Sequence, residues 1–349
     1  MPVPALDKAY MVQFLVDLLN IHSPTGFTND AIDFVEIALR SFPQLELQRT
    51  RKGALVASWQ GRNANAPRAL TAHIDTLGAM VKEIKSNGRL RLSRIGGLLL
   101  NGVETEGCWV LTNSGKRVRG SYMFEKASSH VHGALVNETR RMEENMEVRL
   151  DARTLSAEET RALGIQVGDF VGFDPRVELN EGFVRSRFLD DKACAATLLA
   201  SIKALHDAGL QPEQTTYFHF SNYEEVGHGA SAGIPASVHE LVTVDMAAIG
   251  DGQTSDEYHV TLCVKDSGGP YHHGLSQKMR AIADENGIAF KTDIYPYYGS
   301  DGEAFWRAGG DVAVALIGPG VDASHNYERT HTDALEATAN WISAYLLSE

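Results

Sequence analysis

The chain has 349 residues, of which 43% are hydrophobic and 22% are charged, and its formal net charge is −13. This length predicts about two domains, each large enough to bury a core, and the ordinary composition argues against wholesale disorder. The negative charge disfavours nucleic acids and anionic membrane surfaces as partners, because both would be repelled by it.

The cysteines Cys108, Cys194 and Cys263 are far apart and odd in number, so neither a disulfide framework nor a Cys-x-x-Cys metal motif is expected. The N-terminus lacks a basic region followed by an apolar one, and no apolar run reaches the ~20 residues that span a bilayer. These features predict a cytoplasmic protein with reduced thiols.

Residues 8–41 carry apolar side chains at helical spacing and predict two helices, which are separated by turn-forming residues at 22–26. The segments 45–48, 53–60 and 68–73 are predicted to be strands, and the last of them is apolar enough to be buried. The chain therefore begins as an α/β domain.

Residues 81–177 have a different pattern, in which frequent turn signals separate short β-rich runs and one helix is predicted at 157–163. Strands and helices alternate again from residue 182 onward, with helices at 193–208, 274–286 and 333–347. The sequence therefore predicts an α/β domain of residues 1–80 and 178–349, interrupted by a β-rich domain of residues 81–177 that forms a small barrel or sandwich.

Five short segments contain acidic or imidazole side chains, and most follow a predicted strand, where open α/β sheets hold ligands. They are His73-Ile74-Asp75, 188–192 with Asp190, 218–227 with Glu224 and Glu225, 242–246 with Asp245, and 327–332 with His331. Each alone has an ordinary structural explanation, such as a helix N-cap, a solvated turn or an exposed loop histidine. Together they supply the two imidazoles, bridging carboxylate, two further acidic ligands and free base of a two-metal hydrolase.

The spacing within two of these segments suggests specific roles. In an extended segment, residues i and i+2 point to the same side, so Asp75 can orient a metal-binding His73. Adjacent glutamates after a strand allow one to bind metal while the other acts as a general base. The sequence contains no His-Glu-x-x-His or P-loop motif, which disfavours those two competing enzyme classes.

The order of these motifs resembles the glutamyl aminopeptidase family of dinuclear metallo-aminopeptidases, which includes the TET and deblocking aminopeptidases. The matching segments are 72–75, 189–192, 224–227, 244–245 and 330–331, with Arg94-Ile95-Gly96-Gly97 and 164–169 in the β-rich block. The resemblance implies a three-layer α/β/α metallopeptidase domain with an inserted, small β-barrel-like oligomerisation domain. It also implies a large homo-oligomer, with a dodecamer as the expected form.

The resemblance further implies roles for individual residues and an aminopeptidase activity on the N-terminal peptide bond of peptides. The implied metal ligands are His73 and Asp245 for one divalent ion, Glu225 and His331 for the other, and Asp190 between them. Asp75 would orient His73, and Glu224 would be the general base that takes a proton from metal-activated water. Nitrogen and oxygen ligands without thiolates suit zinc, with cobalt or manganese as alternatives.

The sequence departs from the family near its last ligand. Glu328 and Arg329 occupy positions where the family usually has an Arg-Tyr pair, and His325 is a rival to His331. The spacing to the last predicted helix favours His331. The run 322–331 also resembles a subgroup associated with the osmolyte N-acetylglutaminylglutamine amide, which would make a small modified dipeptide the substrate.

The sequence leaves three other functions open. A deacylase, amidohydrolase or carboxypeptidase that acts on a small N-acylated or amidated peptide could use the same metal centre. A glycanase would need an acid pair that flanks a sugar cleft, and no second pair is evident. A non-catalytic scaffold is disfavoured because all five ligand positions carry residues able to bind metal.

Overall fold

The computed structural model describes residues 2–349. Its helices, numbered in chain order, are α1 (Lys8–Leu19), α2 (Asn29–Leu39), α3 (Leu100–Val103), α4 (Ser129–His132), α5 (Leu135–Glu138), α6 (Ala157–Ala162), α7 (Leu189–Asp207), α8 (His273–Glu285), α9 (Asp301–Arg307) and α10 (Thr332–Leu347). Short 3-10 helices lie at Glu143–Asn145, Glu224–Val226 and Gly229–Ser231.

The strands are numbered in the same way. They are β1 (Leu45–Arg49), β2 (Leu55–Trp59), β3 (Asn63–His73), β4 (Gly78–Ile84), β5 (Leu90–Ile95), β6 (Gly107–Leu111), β7 (Arg117–Phe124), β8 (Met146–Leu150), β9 (Phe170–Phe173), β10 (Glu178–Asn180), β11 (Phe183–Ser186), β12 (Gln214–Ser221), β13 (Glu240–Val244), β14 (Ala247–Ala248), β15 (Val260–Lys265), β16 (Phe290–Ile294), β17 (Ala313–Val321) and β18 (Glu328–His331). Two compact units result: unit 1 runs to Asp75 and resumes with Arg176–Glu349, and unit 2 is Thr76–Pro175.

Unit 1 is built on a nine-stranded sheet with the order β1-β2-β12-β3-β13-β17-β15-β16, in which β14 pairs with β17. The central strands β12, β3, β13 and β17 run parallel to one another. Strands β10, β11 and β18 form a separate antiparallel sheet. The parallel centre matters for function, because the carboxyl ends of all four strands meet at one edge of the sheet.

Both faces of this sheet are buried. On one face Ala69, Leu241 and Val314 pack with Phe305 of α9 in a common apolar cluster. On the other face Leu70 and Val242 are fully buried, and α7 and α10 pack against each other and against the central strands. Strands that are apolar on both faces are typical of sheets with helices on both sides, which confirms the predicted three-layer α/β/α class.

Unit 2 contains a closed barrel of antiparallel strands in the order β4-β5-β8-β7-β6-β9. The side chains of β7 alternate between buried and more exposed positions, so one face of that strand fills the barrel interior. Closure pairs the last strand with the first and removes free strand edges. The predicted β-barrel is confirmed.

The start of α7 differs from the prediction of a helix over 193–208. The helix is assigned from Leu189, but Asp190 and Asp191 have non-helical backbone angles and regular helix follows them. The three cysteines are buried free thiols. Among the described residues, no helix is both long enough and apolar enough to cross a bilayer.

Candidate metal centre

The parallel pairing of three strands brings distant segments of unit 1 together. Ser221, the last residue of β12, pairs with His73 at the end of β3, and β13 pairs with β3 on its other side. Glu224 and Glu225 follow β12 within one turn, and Asp245 follows β13 directly. These side chains therefore lie at the carboxyl edge of the sheet, where ligands bind in this class of fold.

Asp190 joins this group from the start of α7. Its Oδ1 lies 3.0 Å from Nε2 of His73. One ligand atom from each of His73, Asp190 and Asp245 lies within 4.8 Å of the other two, an arrangement that could hold a metal ion. All three residues are less than a tenth exposed.

The ring of His73 has a defined orientation. Its Nδ1 lies 2.9 Å from the backbone carbonyl oxygen of Asp75 and 3.7 Å from the Asp75 carboxylate. A carbonyl can only accept, so Nδ1 carries a proton, and in the neutral ring Nε2 has the lone pair that a metal needs. Nε2 points toward Asp190 and lies 3.6 Å from Oε2 of Glu224.

The Asp75 carboxylate holds the turn that carries the two glutamates. Its Oδ1 accepts from the backbone N–H of Glu224 at 3.2 Å, and its Oδ2 accepts from that of Glu225 at 3.4 Å. Thr25 Oγ1 donates to the same Oδ2 at 2.7 Å. The sequence predicts that Asp75 orients His73. The Asp75 main chain lies closer to the His73 ring than the Asp75 carboxylate does.

A second histidine faces the same bridging residue. His325, in the loop between β17 and β18, places Nε2 3.6 Å from Oδ2 of Asp190 and 3.7 Å from Oε2 of Glu225. Both separations are slightly longer than an ordinary hydrogen bond. The two carboxylate oxygens of Asp190 thus face two different imidazoles, His73 and His325.

His331, which the sequence predicts to be a metal ligand, makes its contacts away from Asp190. It caps α10, where its Nδ1 accepts from the backbone N–H of Asp333 at 3.1 Å, and its Nε2 lies 3.3 Å from the carbonyl oxygen of Glu181. Its ring packs edge-on against Phe183, with centroids 4.9 Å apart. Both ring nitrogens are therefore engaged away from Asp190, and the imidazole that faces Oδ2 of Asp190 is that of His325.

The electrostatics of the group favour the binding of a positive charge. Burial, together with the charge of Asp190, raises the pKa of Asp245 to about 8 and raises that of Glu225 well above its usual range. Burial opposes a charged His73, but its hydrogen bond with Asp190 and nearby carboxylates raise its pKa well above normal. Buried like charges of this kind are stable when a cation compensates them. The donor set is therefore suited to divalent metal ions.

Lys52, which no sequence motif identifies, anchors the loop after Glu225 through hydrogen bonds. Nζ of Lys52 donates to the backbone carbonyls of His228 and Gly229, the latter at 2.6 Å, and to Oγ of Ser231 at 3.0 Å. Lysines that bond to loop carbonyls have no sequence signature, so only the tertiary structure reveals this contact.

Known proteins are similar to this chain in sequence and in fold. Residues 53–341 match the model of the M42 glutamyl aminopeptidase family. YhfE of Bacillus subtilis (strain 168), which is named provisionally as an aminopeptidase, is 46% identical over 97% of each chain. An aminopeptidase of Desulfurococcus kamchatkensis has a TM-score of 0.88 at 21% identity, covering 98% of this chain and 96% of its own. The Pyrococcus horikoshii TET1 peptidase has a TM-score of 0.83 at 23% identity, covering 97% of this chain and all of its own. The chain therefore belongs to the M42 glutamyl aminopeptidase family.

Proposed function

We propose that this protein is a dinuclear, metal-dependent aminopeptidase that removes N-terminal residues from peptides. In this proposal His73 and Asp245 bind one divalent ion, Glu225 and His325 bind the other, and Asp190 binds both. The observation that carries it is the position of Asp190, whose Oδ1 faces His73 while its Oδ2 faces His325. Zinc is the proposed metal, because its ligands in proteins are imidazole and carboxylate groups of this kind.

Bound divalent ions would polarise the scissile carbonyl and make water a nucleophile at neutral pH. The chain itself would contribute a general base and the residue that holds this base in position. Glu224 is left outside both ligand sets, and burial raises its pKa well above that of an ordinary carboxyl group. It is therefore suited to accept a proton from the attacking water and to pass it to the leaving amine. The Asp75 carboxylate holds the backbone of Glu224 in place.

We also propose that the protein forms a homo-oligomer, with residues 81–177 as its assembly domain and a dodecamer as the expected form. The Pyrococcus horikoshii TET1 peptidase is described as assembling into a tetrahedron or a large octahedral shell. Unit 2 exposes apolar side chains such as Val131, at 74%, and Leu135, at 48%. Exposed apolar groups of this kind often mark association surfaces. The buried free thiols fit the reducing cytoplasm, which is the proposed compartment.

The decisive experiment is a substrate panel on the zinc-loaded, full-length enzyme, with chelator-treated enzyme as the control. We expect release of free N-terminal residues from unmodified peptides and aminoacyl anilides, and no turnover after chelation. Exclusive cleavage of N-acyl amino acids would instead identify a deacylase, and exclusive release of C-terminal residues a carboxypeptidase. Turnover of a small N-acylated, amidated dipeptide alone would support the osmolyte-related substrate. A protein that binds metal but cleaves none of these would contradict the proposed peptidase activity.

A further inference from the structure

Glu328 is a buried carboxylate that connects two chain segments of the metal centre. It is 2% exposed, although carboxylates are rarely buried without donors. Its Oε2 accepts from the backbone N–H of Asp190 at 3.1 Å, and its Oε1 accepts from the backbone N–H of His325 at 3.0 Å. One side chain thus holds the main chain of both residues whose side chains face each other at 3.6 Å.

Strand pairing explains how Glu328 reaches both segments. It is the first residue of β18 and pairs with Ser186 at the end of β11, just before the chain enters the Asp190 segment. On its other side, Asp322 and Arg329 exchange two backbone hydrogen bonds of 2.8 and 3.1 Å, which close the loop that carries His325. Glu328 therefore lies at the base of that loop.

The loop needs such support because two of its residues have unfavourable backbone angles. His325 and Ala323 have φ angles of +67° and +57°, which cost energy for residues other than glycine and persist only where the surroundings hold them. A hydrogen bond from the His325 backbone to a buried carboxylate favours the observed conformation. Without it, the His325 ring would lose its fixed direction toward Asp190.

We propose that Glu328 is a positioning residue for the second metal ion, and this rests on the proposed function above. By holding the Asp190 and His325 backbones together, it keeps Oδ2 of Asp190 and Nε2 of His325 in place to share an ion. Some groups hydrogen-bond to metal ligands without contacting the metal. Their replacement commonly lowers metal affinity by about 10- to 100-fold. The other ion would share Asp190 but would keep His73 and Asp245, which Glu328 does not hold, so we expect it to depend less on this contact.

The test is a zinc titration of chelator-stripped, full-length protein against a chromophoric competitor. Glu328→Gln keeps the volume but replaces one acceptor oxygen with an N–H₂ that faces a backbone donor. We expect it to bind a second zinc ion about 10- to 100-fold more weakly than the unmodified protein, with a smaller change in affinity for the first. Glu328→Asp keeps both acceptor oxygens on a shorter stem, and we expect a smaller loss at the second site.

The matched control is Asp293→Asn. Asp293 is also a buried carboxylate of unit 1, and it accepts from the backbone N–H groups of Thr254, Ser255 and Ile294 at 2.8 to 2.9 Å. None of these residues is a proposed ligand, so both zinc sites should keep their affinity in this variant.

Equal second-site affinity in Glu328→Gln and the unmodified protein would overturn the proposal, as would an equal loss in Asp293→Asn. If Glu328→Gln does not fold, Glu328→Asp must still bind the second ion more weakly than the unmodified protein. Failure of the unmodified protein to bind a second ion at all would instead contradict the proposed dinuclear function, so the two failures are distinguishable.

Discussion

The main chain of Asp75, and not its carboxylate, makes the closer contact with His73: Nδ1 lies 2.9 Å from the carbonyl oxygen and 3.7 Å from the carboxylate. The carboxylate instead accepts backbone N–H groups from Glu224 and Glu225. One residue thus orients a proposed metal ligand through its backbone and the proposed base through its side chain. Substitution of the side chain should separate these two effects.

Asp75→Asn should therefore impair catalysis while leaving metal binding largely intact. The amide retains one acceptor oxygen but turns an N–H₂ toward the backbone donors of the glutamate turn. We expect kcat to fall by about 10- to 100-fold with unchanged zinc stoichiometry, measured by steady-state kinetics and metal analysis. Thr25→Val, which removes only one donor to the Asp75 carboxylate, is the control and should cost less. Loss of one zinc ion in Asp75→Asn would mean that the carboxylate is needed to hold His73.

Glu224→Gln should abolish turnover without removing metal. The amide cannot accept a proton, and general bases typically contribute about 10²- to 10⁴-fold to rate. Zinc content should stay at two ions per chain, because Glu224 is outside both proposed ligand sets. Glu225→Gln is the comparison and should lose affinity for one ion. Appreciable turnover by Glu224→Gln would exclude Glu224 as the base.

His325→Ala and His331→Ala test which histidine belongs to the metal centre. We expect His325→Ala to lose affinity for one zinc ion and nearly all activity, because its Nε2 faces Asp190 and Glu225. His331→Ala should keep both ions and lose only helix-capping energy, on the order of 1 kcal/mol, measured by chemical denaturation. The reverse pattern of metal loss would restore His331 as the ligand.

Glu303 gives a pH dependence of stability that does not involve the proposed ligands. Burial and the neighbouring Asp266 raise its pKa from 4.5 to about 7, although Arg307 donates to its Oε2 at 2.7 Å. Between pH 4.5 and about pH 7, the Glu303 side chain is ionised in the unfolded chain but keeps its proton in the folded protein. Stability contributed by the protonated form is therefore complete below pH 4.5 and is lost as the pH rises toward 7.

Glu303→Gln removes this titration and should gain stability relative to the unmodified protein as the pH rises. We expect the difference in unfolding free energy between the two proteins to shift by about 1–3 kcal/mol across that range and to level off above it. Urea denaturation at several pH values measures this difference. A constant difference at every pH would contradict the raised pKa of Glu303.

The proposed assembly role of unit 2 can be tested at its exposed apolar side chains. The double variant Val131→Glu and Leu135→Glu places charges where the oligomer would bury apolar groups, and it should reduce the particle mass. Ile37→Glu is the control, because Ile37 is 68% exposed but belongs to unit 1. Light scattering after size exclusion measures the masses. An unmodified protein that is monomeric would contradict the proposed homo-oligomer.

Local sequence patterns determined the fold class of this protein and the positions of most candidate residues. Apolar runs followed directly by acidic or imidazole groups predicted that His73, Glu224 and Asp245 follow buried strands, since parallel strands end at one edge. The turn-rich block 81–177 predicted a small barrel or sandwich, because short strands need frequent turns.

Only the tertiary structure distinguishes the surroundings of His325 from those of His331, because these depend on pairing between distant segments. The antiparallel register of β11 and β18 places His331 beside Phe183, while the left-handed backbone at Ala323 and His325 turns the preceding loop toward Asp190. Spacing along the chain contains no information about that register. The same pairing brings the Glu328 carboxylate to the backbone N–H groups of Asp190 and His325, and its neighbours in sequence do not indicate the contact with Asp190.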